Sequence, residues 1–115
     1  MIETKIIRYL GNTLPEIPAY AERPEKPPEE YFIIERTGGG YENHIDRATV
    51  AIQSYADSLF RAAEINRMME IKMRRITDLK DISRCKLNSS YNFTDEESRK
   101  YRYQAVFDII YMEGE

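Results

Sequence analysis

All five prolines of the 115-residue chain fall between Pro15 and Pro28. Proline has no amide hydrogen to donate and biases the residue before it toward extended geometry. Residues 14–30 are therefore read as an arm with room only for a short edge strand near Ala19–Glu22, and every helix and central strand must be built outside it. What remains is the material of one domain. A chain of 13.6 kDa that is 42% apolar and 32% charged can bury about two thirds of its unfolded surface and fold without disulfides, with a thin margin.

Before the arm, Ile2, Ile6, Tyr9 and Leu10 recur at helical spacing, and Gly11-Asn12 supplies a stop, giving an N-terminal helix over 1–11. After it, YFIIERT (Tyr31–Thr37) reads as a strand, and Gly38, Gly39 and Gly40 as a hairpin loop. In Asp46–Gln53, Ala48, Val50 and Ile52 alternate against Arg47, Thr49 and Gln53, the period of a strand with one face in the core, so 31–53 forms a long-looped hairpin. A helix over 55–77 follows, with Ser54 as N-cap and Asp57 near its start. At about 100° per residue, Ala62, Ile65, Met69, Met73 and Ile76 make one stripe, with Arg61, Glu64, Arg67, Glu70, Arg74 and Arg75 outside it. Phe60, Met68 and Ile71 form a second apolar patch, either a protein contact or ground covered by the first helix. Residues 82–112 supply a less regular strand, a polar connection and a last strand, Tyr101–Met112, apolar enough on both faces to be central or to meet a partner. The expected class is α+β: an antiparallel mixed-length sheet of four or five strands, one long helix packed across it, and a shorter N-terminal helix.

Catalytic constellations are scarce. His44 is the only histidine, so a relay or metal site would have to be built from Glu42, His44 and Asp46, and no second histidine or cysteine pair supports a transition metal. The single cysteine, Cys85, lies in a strand and is read as an inert thiol. RTGGG leads into a strand rather than a helix and lacks a following Lys-Ser/Thr, so it does not read as a phosphate loop. We expect no catalytic residues, metal or cofactor. Glu3, Lys5 and Arg8 interrupt the opening segment where a signal peptide needs an apolar run, so Asn88-Ser89-Ser90 and Asn92-Phe93-Thr94 are read as chance glycosylation matches in a reduced, cytoplasmic protein. No apolar run reaches membrane-spanning length.

The net charge of −3 hides a split. Residues 1–60 carry 6 basic and 10 acidic groups, residues 61–86 carry 8 and 4, and residues 87–115 carry 3 and 6. The basic centre is either a docking face for an acidic surface or the solvated side of a helix. A nucleic-acid module using 61–86 is the alternative from another class; separately, Tyr101 and Tyr103 beside Arg102 have the makings of a stacking platform, but the acidic balance of the last segment favours a protein interface. A small enzyme built on His44 is another alternative.

One run resembles a known group. ERPEKPPEEYFIIERTGGGYENHIDRATVAIQSYADSLFRAAEI is similar to the small tail terminator, or tail completion, proteins of long-tailed bacteriophages and prophages, of the lambda-type tail terminator fold. The matching positions are Arg23-Pro24, Phe32, Arg36, Thr37, Gly38, Gly39, Asp46, Arg47, Gln53, Tyr55, Ala56 and Ala63, with Tyr101-Arg102-Tyr103-Gln104 resembling the opening of the family's final strand. Ala48 stands where a proline often follows Asp-Arg, and Tyr55 where tryptophan is frequent. The resemblance implies a virion structural protein of the tail and neck, assembled in the bacterial host cytoplasm. Its copies, typically six, close into a ring on the head-proximal end of the tail tube, ending tube polymerisation and offering a surface for head-tail joining. The implied partners are the chain itself, the tail tube protein and a head-tail connector protein, with DNA only passing through the lumen and no membrane. A connector adaptor is the nearest alternative. Arg36, Thr37, Gly38, Gly39, Gly40, Asp46 and Arg47, with Phe60, Met68 and Ile71, are the expected oligomer or tube contacts; the alternative for Arg36 and Asp46 is a cross-hairpin ion pair.

Overall fold

The computed structural model describes residues 1–42 and 45–112. Helix α1 (Ile2–Thr13) leads into a two-residue strand β1 (Ala19–Tyr20) inside the arm, then β2 (Tyr31–Glu42), β3 (Ile45–Ala56), helix α2 (Leu59–Met73), a 3-10 turn (Ile76–Asp78), β4 (Ile82–Asn92) and β5 (Tyr101–Tyr111). The five strands form one sheet in the order β1-β2-β3-β5-β4. The architecture is α+β, as the alternation of periods implies. The sheet is mixed rather than wholly antiparallel, because the arm brings β1 parallel to β2 through Ala19↔Phe32 and Tyr20↔Ile33. β5 is central, paired with β3 on one side and β4 on the other.

One face of the sheet is dry. Phe32 and Ile34 of β2, Val50 and Ile52 of β3, and Ala105, Phe107 and Ile109 of β5 pack against Ala62, Ile65, Met69 and Met73 of α2 and Ile76 of the 3-10 turn, all five of which are fully buried. Ile2, Ile6 and Leu10 of α1 complete the cluster. The helix does not stop at Gly11-Asn12. Leu14 still donates its amide to Leu10 O at 2.7 Å, and the burial of Leu14 and Ile17 holds the chain on course past an exposed glycine.

Two boundaries move because strand pairing outbids local preference. Gln53–Ala56 pair with Tyr101–Gln104, so β3 runs on through Ser54 and α2 begins four residues later than Tyr55. Ser58 takes the N-cap role, accepting the Arg61 amide at 3.1 Å. At the far end the helix closes at Met73 and tightens into the 3-10 turn rather than running to Thr77. The second correction is the glycine run. Gly38, Gly39 and Gly40 are not a loop but part of β2, paired with Thr49, Ala48 and Arg47 after a register shift between Arg36 and Gly38. The paired strands therefore extend to Glu42 opposite Ile45. Gly39 has φ +139°, and a Cβ there would overlap the carbonyl oxygen of Arg47, so only glycine lets the irregular strand re-enter register.

Candidate functional site

Helices cover one face of the sheet only, which leaves the opposite face and the distal half of the β2–β3 hairpin as the surfaces not used by the core. On the open face a row of side chains crosses all five strands. Tyr20 meets Tyr31 edge-on, Tyr31 stacks on Tyr55 at 4.6 Å, and the Arg102 guanidinium lies 5.7 Å from the Tyr55 ring and 4.4 Å from the Phe93 ring, which meets Tyr91. Next to it, Gln53 Nε2 donates to Gln104 Oε1 at 2.9 Å and Gln104 Nε2 to the Tyr91 hydroxyl at 2.5 Å. This row is satisfied within the chain. Tyr101 and Tyr103 belong to the other face, packed against the core, while Arg102 bonds Tyr55 and Phe93 O. The three therefore do not make one stacking platform.

Toward the hairpin end the open face becomes charged. Asp108 accepts from Thr49 Oγ1 at 3.2 Å and Asn88 Nδ2 at 3.0 Å. Arg47, Arg84 and Lys86 line an open groove of about 420 Å³ around it, floored by Ile109, Ile110 and Ala48. Arg36 spends its guanidinium on backbone, donating to Gly38 O and Arg47 O, each at 3.1 Å. The register sets Arg36 opposite Val50 and Asp46 opposite Tyr41, so these two are not cross-strand partners. Arg36, Thr37, Gly38, Gly39, Gly40, Asp46 and Arg47 thus share one projecting hairpin end, where β2 is exposed from Glu35 onward.

Phe60, Met68 and Ile71 lie elsewhere, on α2. Phe60 is 78% and Ile71 46% exposed, whereas Met68 packs against the core. α1 therefore does not cover the patch, and its two exposed members flank a half-buried one. The basic segment 61–86 is also divided. Arg61 is held by Glu30 (2.5 Å) and Glu64 (2.6 Å), and Arg75 by Asp78 (3.2 Å), while Arg84 and Lys86 belong to β4 on the open face. A single continuous cationic surface does not result.

His44 lies outside the described residues, so the enzyme and metal readings built on it have no geometry. Among the described residues no group of three or more His, Cys, Asp or Glu is placed to hold a metal, and no helix is long and apolar enough to cross a membrane. Cys85, on the core face of β4, has its thiol pushed up to about 12 by burial alone, which leaves it without appreciable thiolate near neutrality. The polar feature that periodicity missed is inside. Glu70, which falls outside the apolar stripe, is buried, accepting from Asn66 Nδ2 at 2.8 Å and Ser90 Oγ at 2.6 Å, while Ser54 Oγ donates to Asn66 Oδ1 at 3.4 Å. The i,i+4 spacing of Asn66 and Glu70 was the available signal. This network clamps α2 onto β3 and β4.

No protein-family model matches the chain, and no curated protein matches it.

Proposed function

We propose that the chain is a phage structural subunit that assembles as a ring, typically of six copies, on the head-proximal end of a tail tube. There it ends tube polymerisation and presents a surface for head-tail joining. The reading is structural, not catalytic. The observation that carries it is the position of the two segments most similar to tail terminators. Arg36-Thr37-Gly38-Gly39 and Asp46-Arg47 sit on paired strands at an exposed end that the hydrophobic core does not require. Residues so placed serve either hairpin geometry or a neighbour, and the local geometry needs only Gly39 among the three glycines. The acidic balance suits a lumen that lets DNA pass without phosphate grip.

Electron microscopy of particles made without this chain tests the reading. Tubes of unregulated length are the expected result. Tails of normal length that fail to join heads would replace the terminator with a connector adaptor. Normal particles would remove the chain from tail assembly altogether.

A further inference from the structure

The sheet has two long bare edges. β1 covers β2 only at Phe32 and Ile33, so from Glu35 to Gly40 no strand lies along the edge of β2 that faces away from β3, among the described residues. At the other side β4 is the terminal strand, and its outer edge is likewise without a strand. Such edges are templates for pairing with another chain, and proteins normally blunt them. β4 carries a partial guard, namely Arg84, Lys86 and two register shifts. That guard repels strands in general but favours one that brings a carboxylate.

The β2 edge is prepared for close approach. Gly39 is required by its own backbone, but Gly40 has nothing within 4 Å of a would-be Cβ and no unusual φ, and Gly38 has only ordinary contacts with Thr49. Glycine weakens a strand, so two of the three glycines cost stability with no return inside the molecule. Glycine in a strand also marks where a second backbone comes near.

We propose that the β2 edge of one copy pairs antiparallel with the β4 edge of the next, making the subunit contact of the ring; this rests on the ring reading above. Direction is consistent. β2, β3, β5 and β4 alternate in sense, so placing a second copy's β2 beside β4 continues the alternation. One register satisfies both side-chain sets. Setting Tyr41 opposite Leu87 joins two exposed apolar side chains (65% and 40%), both on the helix-bearing face by their pairing through Asp46 and Phe107. The same register sets Glu42 opposite Lys86 on the open face and lays Gly38–Gly40 alongside Asn88–Ser90. It is staggered relative to the rows of the parent sheet, as closure of a tilted sheet requires. The contact is head-to-tail, the type that closes rings.

Cysteine pairing reads the register directly. Within one copy Tyr41 and Leu87 are three strand spacings apart across the sheet, at least about 14 Å, too far for a disulfide. In a Cys85→Ala background, Tyr41→Cys with Leu87→Cys should give a ladder of cross-linked oligomers on mild oxidation, and either cysteine alone should not. Independently, Glu42→Lys or Lys86→Glu should each weaken self-association about fivefold, and the pair together should restore it. Closed oligomers that form with no ladder and no response to the charge swap would overturn the edge pairing and leave the ring reading intact. Wild-type chain that neither self-associates nor binds tube ends would overturn both.

Discussion

Replacing Gly39 by alanine perturbs the one backbone position that β2 cannot give up. At φ +139° a side chain is strained, at about 1–3 kcal/mol for a glycine-only conformation. The added Cβ would overlap Arg47 O, lie 2.6 Å from an Arg36 guanidinium nitrogen and 2.9 Å from Ala48 Cα. Two of these neighbours are backbone of the partner strand, so relief requires opening the Gly39↔Ala48 and Gly40↔Arg47 pairs and the Arg36 bond to Arg47 O, each worth about 0.5–1.5 kcal/mol net. The sum is capped by the cost of fraying the distal hairpin, which places the loss at about 2–4 kcal/mol. At about 4 °C per kcal/mol for a domain of this size, Tm should fall by about 8–16 °C. Gly40→Ala, with open space and ordinary backbone, is the matched control and should match wild type or gain up to about 1 kcal/mol. Thermal unfolding followed by circular dichroism, with amide exchange at Arg47 and Ala48, reads both. Equal stability of the two variants, at either level, would refute the assignment of the glycine run to a strand with one obligatory glycine.

Three further outcomes are expected. Asn66→Ala leaves a buried Glu70 oxygen with Ser90 as its remaining donor partner, and urea denaturation should show a loss of about 2–3 kcal/mol at unchanged m. Gly11→Ala, on an exposed turn of α1 with nothing near its Cβ position, should raise stability by about 0.5–1 kcal/mol in the same assay. The Arg61 guanidinium hydrogen-bonded to Glu30 holds its carboxyl below the usual carboxylate range. Protons therefore bind the unfolded chain first, and this pair's stabilisation is present above that range and lost as pH falls through the folded value. Glu30→Gln should accordingly flatten the acid limb of stability against pH, and an unchanged slope would contradict the pairing.

The parts of the fold legible in sequence were those governed by a single period. The stripe Ala62, Ile65, Met69, Met73 and Ile76 is buried throughout, and Ala48, Val50 and Ile52 face the core, because burying an apolar face is the largest favourable term and leaves a regular trace. What was not legible depended on a partner strand. Ser54 and Ser58 are equally good caps by type, and pairing with Tyr103 decided between them. Gly38–Gly40 have the composition of a turn, and pairing with Arg47–Thr49 made them strand. Glu70 looked solvated until Asn66 and Ser90 enclosed it. The open edges of β2 and β4 are properties of strand order, which no local pattern records. Arg36, Thr37, Gly38–Gly40, Asp46 and Arg47 lie on the paired distal ends of β2 and β3, while Phe60 and Ile71 form a separate exposed surface on α2.

The most direct measurement is native mass spectrometry of the purified chain, followed by electron microscopy of its mixture with isolated tail tubes. A closed homo-oligomer of one discrete mass that decorates a single end of each tube is the predicted result. A chain that stays at 13.6 kDa at every concentration and leaves both tube ends bare would contradict it.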